Sequence, residues 1–323
     1  MDRSVKQHFD TDAKSALAAL GGVVVVLLGG TGSEREVSLD SGAAVVTALE
    51  SLAIEVIGLD VSDDVVERLL SLKPAFAFIA MHGRGGEDGT IQAILERLGI
   101  PYSGSGVLGS ALAMDKVRTK NLWRGLSLPT PAFSLLEEGS NFSSVLDALR
   151  GDVFVKPIDE GSSVGMARAS SADELQRAYR AAAKNGAEVF AEQTIDGEEY
   201  TVAILGDKAL PVIRIETDRV FYDYHAKYVD HSTRFFVPCG LDSEVESELQ
   251  ELALQAFCAL GCYGWGRVDF MRDEASGEFY LLEANTVPGL TSHSLVPMSA
   301  AAAGIEFPLL IVQIIQQSLQ VAA

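Results

Sequence analysis

Residues 264–295 read G-W-G-R-V-D-F-M, then the polar turn R-D-E-A-S-G-E, then F-Y-L-L-E-A-N-T-V-P-G-L-T-S-H-S-L. Aromatic and branched residues flank a turn that contains Ser276-Gly277, which predicts a β-hairpin. Side chains alternate along a strand, so Arg267 and Asp269 share one face, and Glu283 and Asn285 share one face of the returning strand. A hairpin symmetric about the turn sets Asp269 opposite Glu283 and Arg267 opposite Asn285. Two carboxylates directly across a ladder destabilise it. A hard cation between them removes that penalty, and Asp, Glu and Asn oxygens are the ligands magnesium prefers. The hairpin therefore predicts a divalent-metal site that holds a nucleotide's phosphates. The alternative is a solvated polar face on an edge hairpin, and the apolar flanks argue against it.

Outward from the hairpin, Leu249, Leu252, Ala256 and Leu260 mark a preceding helix that stops at Gly261. A helix is expected to open at about Ser294, and the last helix, 305–320, puts Leu310, Ile311, Ile314, Ile315 and Leu319 on a face that docks on the core. Residues 221–231, F-Y-D-Y-H-A-K-Y-V-D-H, have no clean period and read as a long loop of the kind that forms lids. Residues 201–215 read as a further hairpin. Strands are expected at 131–136, 153–156, 164–168 and 188–193, with helices at 141–150 and 172–184. Within them, residues 153–166 read V-F-V-K-P-I-D-E-G-S-S-V-G-M. Lys156 ends a strand, and the small turn 160–165 can cradle phosphate with backbone N–H groups, although it lacks the G-x-x-x-x-G-K-[ST] pattern of a P-loop. One helix is expected over 108–123, and its Lys116, Arg118, Lys120 and Arg124 read most simply as a solvated basic face.

Towards the N-terminus, residues 22–30 read G-V-V-V-V-L-L-G-G, a strand apolar on both faces and so the centre of a parallel sheet. The following T-G-S-E-R-E-V-S places Ser33 and Glu36 at capping-box spacing, with a helix to about residue 52. A strand at 53–59, a helix at 62–72, a strand at 75–80 and a helix bearing Ile91, Ile94, Leu95 and Leu98 complete a β-α-β-α-β-α order. That order predicts a right-handed, Rossmann-like open sheet with its ligand site in the loops 29–38 and 81–89, beyond the strands' carboxyl ends. Glu34 fits equally well as a first-turn acid stabilised by the helix dipole and as a partner for a substrate amine. Residues 1–20 read as a flexible extension.

Composition bounds the rest. With 323 residues, 48% hydrophobic and 22% charged, the chain has the make-up of a soluble globular protein of two or three domains. Its net charge of −20 disfavours nucleic acid and anionic membranes as partners, so any phosphate site must gather its own cations. The three cysteines, Cys239, Cys258 and Cys262, lack metal spacing and read as buried free thiols in a reducing compartment. No signal peptide is evident, and the apolar run 23–28 is too short to span a bilayer, so a cytoplasmic location is expected.

Taken together, nine blocks in order resemble the ATP-grasp superfamily and, within it, the D-alanine–D-alanine ligase family. They are L-L-G-G-T-G-S-E-R-E-V-S-L, A-M-H-G-R-G-G-E-D-G-T, Y-S-G-S-G, M-D-K, V-K-P, E-G-S-S-V-G, F-Y-D-Y-H-A-K-Y, G-W-G-R-V-D and L-L-E-A-N-T-V-P-G-L-T-S-H-S-L-V-P-M. The likeness runs from about residue 23 to 321 and implies an α/β and α+β chain. Its expected parts are an extension (1–20), a Rossmann-like substrate domain (21–104), and a central (105–192) and a C-terminal (193–323) ATP-grasp subdomain. The implied reaction joins two D-alanines at the expense of ATP through an acyl phosphate, for peptidoglycan synthesis, with two Mg²⁺ or Mn²⁺ ions and a homodimeric enzyme.

The resemblance also implies roles for matching residues. Asp269, Glu283 and Asn285 match the metal ligands. Lys116, Lys156 and Lys227 match phosphate contacts, and the turn that includes Glu160, Gly161, Ser162 and Ser163 covers the phosphates. Glu192 and Ile195 match the strand beside adenine, and Glu199 a ribose contact. Glu34 matches the residue that holds the first substrate's ammonium, which turns the open choice above towards binding, and Ser162 and Tyr228 match its partners. His82 matches a residue beside the first D-alanine's carboxylate, a hydrogen-bonded loop histidine being the alternative. Arg267 and the Gly289 N–H match an oxyanion-stabilising pair, and Ser294 and Leu295 match the site of the second carboxylate.

Gln193, His225 and Val287 depart from the family pattern, His225 with a possible gain of pH sensitivity in loop closure. The competing readings are a D-alanine–D-lactate or D-alanine–D-serine ligase, another ATP-grasp carboxylate–amine ligase, and a catalytically silent nucleotide-binding protein. In the family that the chain resembles, tyrosine at the position of Tyr228 goes with D-alanine as second substrate, and tyrosine stands here.

Overall fold

A computed structural model describes residues 21–160, 165–217 and 233–321. Its first unit grows from β1 (Val24–Leu28), whose valines are buried on both faces. Such a strand must be flanked on both edges, and it is: β2 (Val56–Asp60) and β3 (Phe76–Ile79) pair with it in parallel, in the order β2-β1-β3. Helices α1 (Arg35–Ser51), α2 (Val65–Leu72) and α3 (Thr90–Leu98) complete the expected alternation. β2 starts three residues later than the pattern predicts, because Ala53 turns through φ 58°. The capping box is not formed. The N-cap position of α1 is Glu34, not Ser33, and no side chain caps it, so the helix start is left to serve another purpose.

The second unit is an antiparallel sheet in the order β4-β7-β5-β6, made of β4 (Phe133–Leu136), β5 (Val153–Pro157), β6 (Ala167–Ala169) and β7 (Val189–Gln193). Helices α6 (Phe142–Ala148) and α7 (Ala172–Ala182) cover one face and share a separate core with Val153, Val155 and Val189. The third unit is a sheet in the order β11-β10-β8-β12-β13, with the short β9 (Lys208–Ala209) alongside β8. Its strands are β8 (Gly197–Leu205), β10 (Ile213–Glu216), β11 (Arg234–Phe236), β12 (Trp265–Asp273) and β13 (Phe279–Asn285). Helices α8 (Ser243–Ala259), α9 (Leu295–Ala302) and α10 (Phe307–Val321) belong to it.

The helix expected over 108–123 is two helices, α4 (Val107–Met114) and α5 (Lys116–Gly125). Asp115 between them is extended, at φ −87° and ψ 97°, and its carboxylate accepts from the Arg118 N–H at 2.8 Å. Asp at such a break is a strong N-cap, which ends one helix and starts the next. Both helices pack on the third unit: Trp123 is fully buried there and donates from Nε1 to the Ala256 carbonyl at 2.9 Å.

One core decides how the site is held. Residues of β1 and β3 pack in the same cluster as Trp265, Leu290, Val296 and Ile314. The first and third units are thus joined by a shared apolar interior, while the central sheet keeps its own. Among the described residues no single helix is long and apolar enough to cross a membrane. Cys239 and Cys262 are buried, but Cys258 is exposed, contrary to the sequence expectation, because it lies on the solvent side of α8.

Candidate active site

The hairpin β12–β13 has the register its symmetry predicts. Arg267 pairs with Asn285 and Asp269 with Glu283. A bulge then shifts the ladder, so Phe270 pairs with Leu281 and Leu282 has no opposite number. The bulge has a purpose that simple alternation hides. Leu281 and Ala284 enter the core, whereas the consecutive residues Leu282 and Glu283 both line the cleft.

Asp269 is the electrostatic centre of this face. It receives Arg267 through Nε and Nη2, each at 2.8 Å, Thr201 Oγ1 at 2.6 Å and Asn285 Nδ2 at 3.1 Å. Thr201 lies directly across the ladder on β8. Lys116 Nζ stands 3.3 Å from Glu283 Oε2 and donates to the Glu160 carbonyl at 2.7 Å. The four side chains that the hairpin argument groups together therefore converge.

Behind them lies a buried triplet of charges. Glu192, 2% exposed, is ion-paired to both Lys120 and Lys156, the latter at 2.5 Å. Burial pushes the Glu192 carboxyl up, but the two ammonium groups more than reverse this and hold it below the ordinary range. Burial draws Lys120 down. Lys120 also donates to Thr130 Oγ1 at 2.9 Å and to the Leu281 carbonyl at 3.3 Å. The basic residues of α5 are thus not one solvated face. Lys120 is fully buried and Lys116 points into the cleft, because the break at Asp115 turns that side of α5 inward.

These groups wall a cleft of about 340 Å³ between the second and third sheets. Its apolar lining includes Phe154, Met166, Ile195, Met271 and Leu282, and among the described residues its charged lining holds eight carboxylates against six Lys and Arg side chains. The apolar side chains suit a planar ring system. A polyanion at an acidic wall needs added positive charge. Asp269, Glu283 and Asn285 carry the oxygen donors a divalent ion prefers, although here Asn285 turns its Nδ2 to Asp269 and would present Oδ1 to a metal instead. Among the described residues no three His, Cys, Asp or Glu side chains cluster as a metal site, and this set offers two carboxylates and one amide.

Next to Arg267 lies a second cluster, built from the N-terminal loops. Glu34 is 6% exposed and sits against Gly83: a Cβ on Gly83 would come within 2.7 Å of Glu34 Oε2, and Gly83 has φ 69°. His82 is buried, its Nδ1 at 2.6 Å from the Val287 carbonyl and its Nε2 at 2.9 Å from Ser41 Oγ. Burial lowers its pKa, with Glu34 pulling the other way. Glu87 accepts from the N–H groups of Gly83 and Val287, at 3.0 and 3.1 Å. Beyond them Gly289 has no partner for its N–H among the described residues, and a Cβ there would meet Ser294 Oγ at 2.8 Å.

A family model for the D-ala D-ala ligase C-terminus matches residues 122–316, and one for the N-terminus matches residues 63–105. The chain belongs to the D-alanine–D-alanine ligase family. The D-alanine–D-alanine ligase of Saccharophagus degradans is 55% identical over 302 residues, 94% of this chain and 96% of that protein. The Bacillus anthracis D-alanine–D-alanine ligase matches with a TM-score of 0.83 and 38% identity, covering 93% of this chain and 98% of that one, and it has also been solved complexed with ATP. The VanG D-Ala:D-Ser ligase of Enterococcus faecalis matches with a TM-score of 0.77 and 29% identity over 92% of this chain and 99% of that one.

The ligase family's ATP-grasp arrangement is therefore the fold of this chain, and the described structure accommodates most of the site residues expected from sequence. Lys116, Lys156, Glu160, Glu192, Ile195, Glu199, Arg267, Asp269, Glu283 and Leu295 line one cleft. Glu34, His82 and Gly289 form the adjoining cluster. Ser294 lies at the N-cap of α9, but its hydroxyl turns back to accept from the Thr291 N–H at 3.0 Å. Gly161, Ser162, Ser163, Lys227 and Tyr228 lie outside the described residues. Sequence reasoning missed Lys120, Thr201, Ser41 and Glu87. Lys120 sits one turn beyond Lys116 on the same helix, which was the available signal.

Proposed function

We propose that the chain joins two D-alanines in an ATP-dependent reaction, with the cleft between the second and third sheets for ATP and the Glu34 cluster for the first D-alanine. One observation carries the reading. Arg267 lines a nucleotide-sized cleft, and its charge also reaches the buried His82 and Glu87, the two groups on which the buried acid Glu34 acts. A carboxylate is a poor electrophile and must be activated before an amine can attack it. The first D-alanine's carboxylate oxygen attacks the γ-phosphorus, the bond to the β,γ-bridging oxygen breaks, and ADP leaves. The second D-alanine's amine then attacks the acyl carbonyl, sheds its proton, and phosphate departs with the bonding pair.

Each step asks mainly for positioning and charge neutralisation. Glu34 anchors the ammonium of the first D-alanine, with Ser162 and Tyr228 as its partners. Lys116, Lys156 and Lys227 meet the phosphates, under a turn that includes Glu160, Gly161 and Ser163. Glu192 and Ile195 border the adenine and Glu199 the ribose. Arg267 and the Gly289 N–H receive the oxyanion, and Ser294 and Leu295 the second carboxylate at the start of α9. Asp269, Glu283 and Asn285 would hold Mg²⁺ or Mn²⁺, two ions in all. When bound, the metal offsets the phosphate charge that the acidic wall repels. The division at residues 104 and 192, a homodimer and a cytoplasmic site of action complete the proposal.

The test is incubation of the full chain with ATP, Mg²⁺ and D-alanine while ADP and dipeptide are followed. Equimolar ADP and D-alanyl-D-alanine is the expected result. ADP formation only when D-lactate or D-serine is added assigns the chain to those acceptors instead, and no amino-acid-dependent ADP at all contradicts the ligase reading.

A further inference from the structure

The backbone from Val287 to Leu290 contains Gly289, yet its hydrogen bonds go to side chains of the N-terminal unit. The Val287 carbonyl accepts from His82 Nδ1 at 2.6 Å, and the Leu290 N–H donates to Ser41 Oγ at 3.2 Å. His82 Nε2 and Ser41 Oγ are 2.9 Å apart. The directions follow from chemistry. A carbonyl only accepts, so the ring hydrogen of the neutral histidine is on Nδ1. Nε2 then accepts, and the Ser41 hydroxyl donates to it. The chain of bonds runs from Leu290 N–H to Ser41, to His82, to the Val287 carbonyl, and so spans Gly289 from both sides. Glu87 adds a second brace, with Oε1 on the Val287 N–H at 3.1 Å and Oε2 on the Gly83 N–H at 3.0 Å.

Neither Ser41 nor Glu87 lines the nucleotide cleft. Ser41 is fully buried, and both ring nitrogens of His82 are engaged by protein. Three buried or part-buried polar groups directed at one four-residue segment exceed what is needed to tie down a surface loop. The same braces reach Gly83, which abuts Glu34.

We propose that Ser41 and Glu87 are positioning residues for amide formation. Acting with His82, they hold the Gly289 N–H in register with Arg267 and with the first-substrate pocket. The inference rests on the oxyanion role proposed for Gly289. It assigns the aim of that donor to the N-terminal unit, so residues remote from ATP set the turnover of the acyl phosphate.

The test compares the full-length chain with Ser41→Ala and Glu87→Gln, measuring kcat, KM for ATP, KM for each D-alanine and the thermal midpoint. Glutamine keeps the size of Glu87, but its NH₂ cannot accept from an N–H, whereas both carboxyl oxygens can, protonated or not. Because small misplacements of a reacting geometry cost up to about 100-fold, kcat should fall by roughly 10- to 100-fold in either variant. KM for ATP should stay within about twofold, since the nucleotide cleft is untouched. The double variant should be little worse than the poorer single one, because both release the same segment. An unchanged kcat in folded variants overturns the proposal, as does a kcat loss that merely tracks the unfolded fraction. Should Ser41→Ala not fold, Glu87→Gln and Glu87→Asp carry the same comparison. A wild-type chain without D-alanine-dependent ADP formation would instead overturn the functional reading and leave the hydrogen-bond network as it stands.

Discussion

Glu283 faces Asp269 across the hairpin, and its charge is offset in this structure by Lys116 at 3.3 Å. Glu283→Gln removes one hard oxygen donor without changing shape, so the fold should survive. Turnover should fall by roughly 100-fold or more, the scale of losing one preorganised electrostatic contact, and more Mg²⁺ should be needed to reach half-maximal rate. A wild-type rate and Mg²⁺ profile would remove Glu283 from the metal set. Glu87 gives a pH prediction. Burial first, and the Glu34 charge second, push its carboxyl up to about 8. The native state thus keeps a proton that the unfolded chain has already released, so this contribution to stability is present at low pH and lost as pH rises through about 8. The thermal midpoint of the wild type should fall relative to Glu87→Gln between pH 5 and pH 8, roughly the span between the ordinary carboxylate range and the raised value. A pH-independent difference would contradict it. At this scale the pairing of Asp269 with Glu283 was legible, because strand parity and an inferred turn centre fix it. Ser41 was not legible, and the spacing of Lys120 from Lys116 gave only its side of the helix, because only three-dimensional packing tells a buried charge or hydroxyl from a solvated one.

The break at Asp115 shows what a single cap does for an element. Periodicity sees one run of helix-forming residues over 108–123, but the Asp115 carboxylate competes for the Arg118 N–H and splits it. That split places Lys116 in the cleft and Lys120 against Glu192. Asp115→Ala should cost about 1 kcal/mol of stability, as N-cap losses do, and should raise KM for ATP because Lys116 loses its fixed starting point. Urea unfolding and ATP kinetics check the two effects, and an unaltered midpoint would show that the cap is dispensable. The bulge at Leu282 is the other departure from simple pattern. The string L-L-E-A-N contains it, but no residue type announces it, since the extra residue is an ordinary leucine whose place is fixed by the core demand for Leu281 and Ala284.

Across the whole molecule, the shared apolar core fastens the N-terminal sheet to the C-terminal one, while the central sheet packs on its own helices. The loops that carry Glu34 and His82 and the hairpin therefore form one platform, and the central sheet supplies Lys156 and Glu192 from a separately cored unit. Native-state hydrogen exchange should show β5 and β7 opening at lower free energy than β1 and β12, with ATP raising protection in the central unit. Equal protection of both units with no response to ATP would argue against that division. The alternation of the N-terminal unit was legible from two-sided apolar strands, and the family blocks carried the order of the rest. The shared core was not, because it joins residues as distant in sequence as Val25 and Ile314. The central claim is that this platform couples the cleavage of ATP to the joining of two D-alanines. Mixing the purified chain with ATP, Mg²⁺ and D-alanine, and counting ADP against dipeptide, tests it directly. The account predicts one D-alanyl-D-alanine for each ADP, and ADP release indifferent to D-alanine would contradict it.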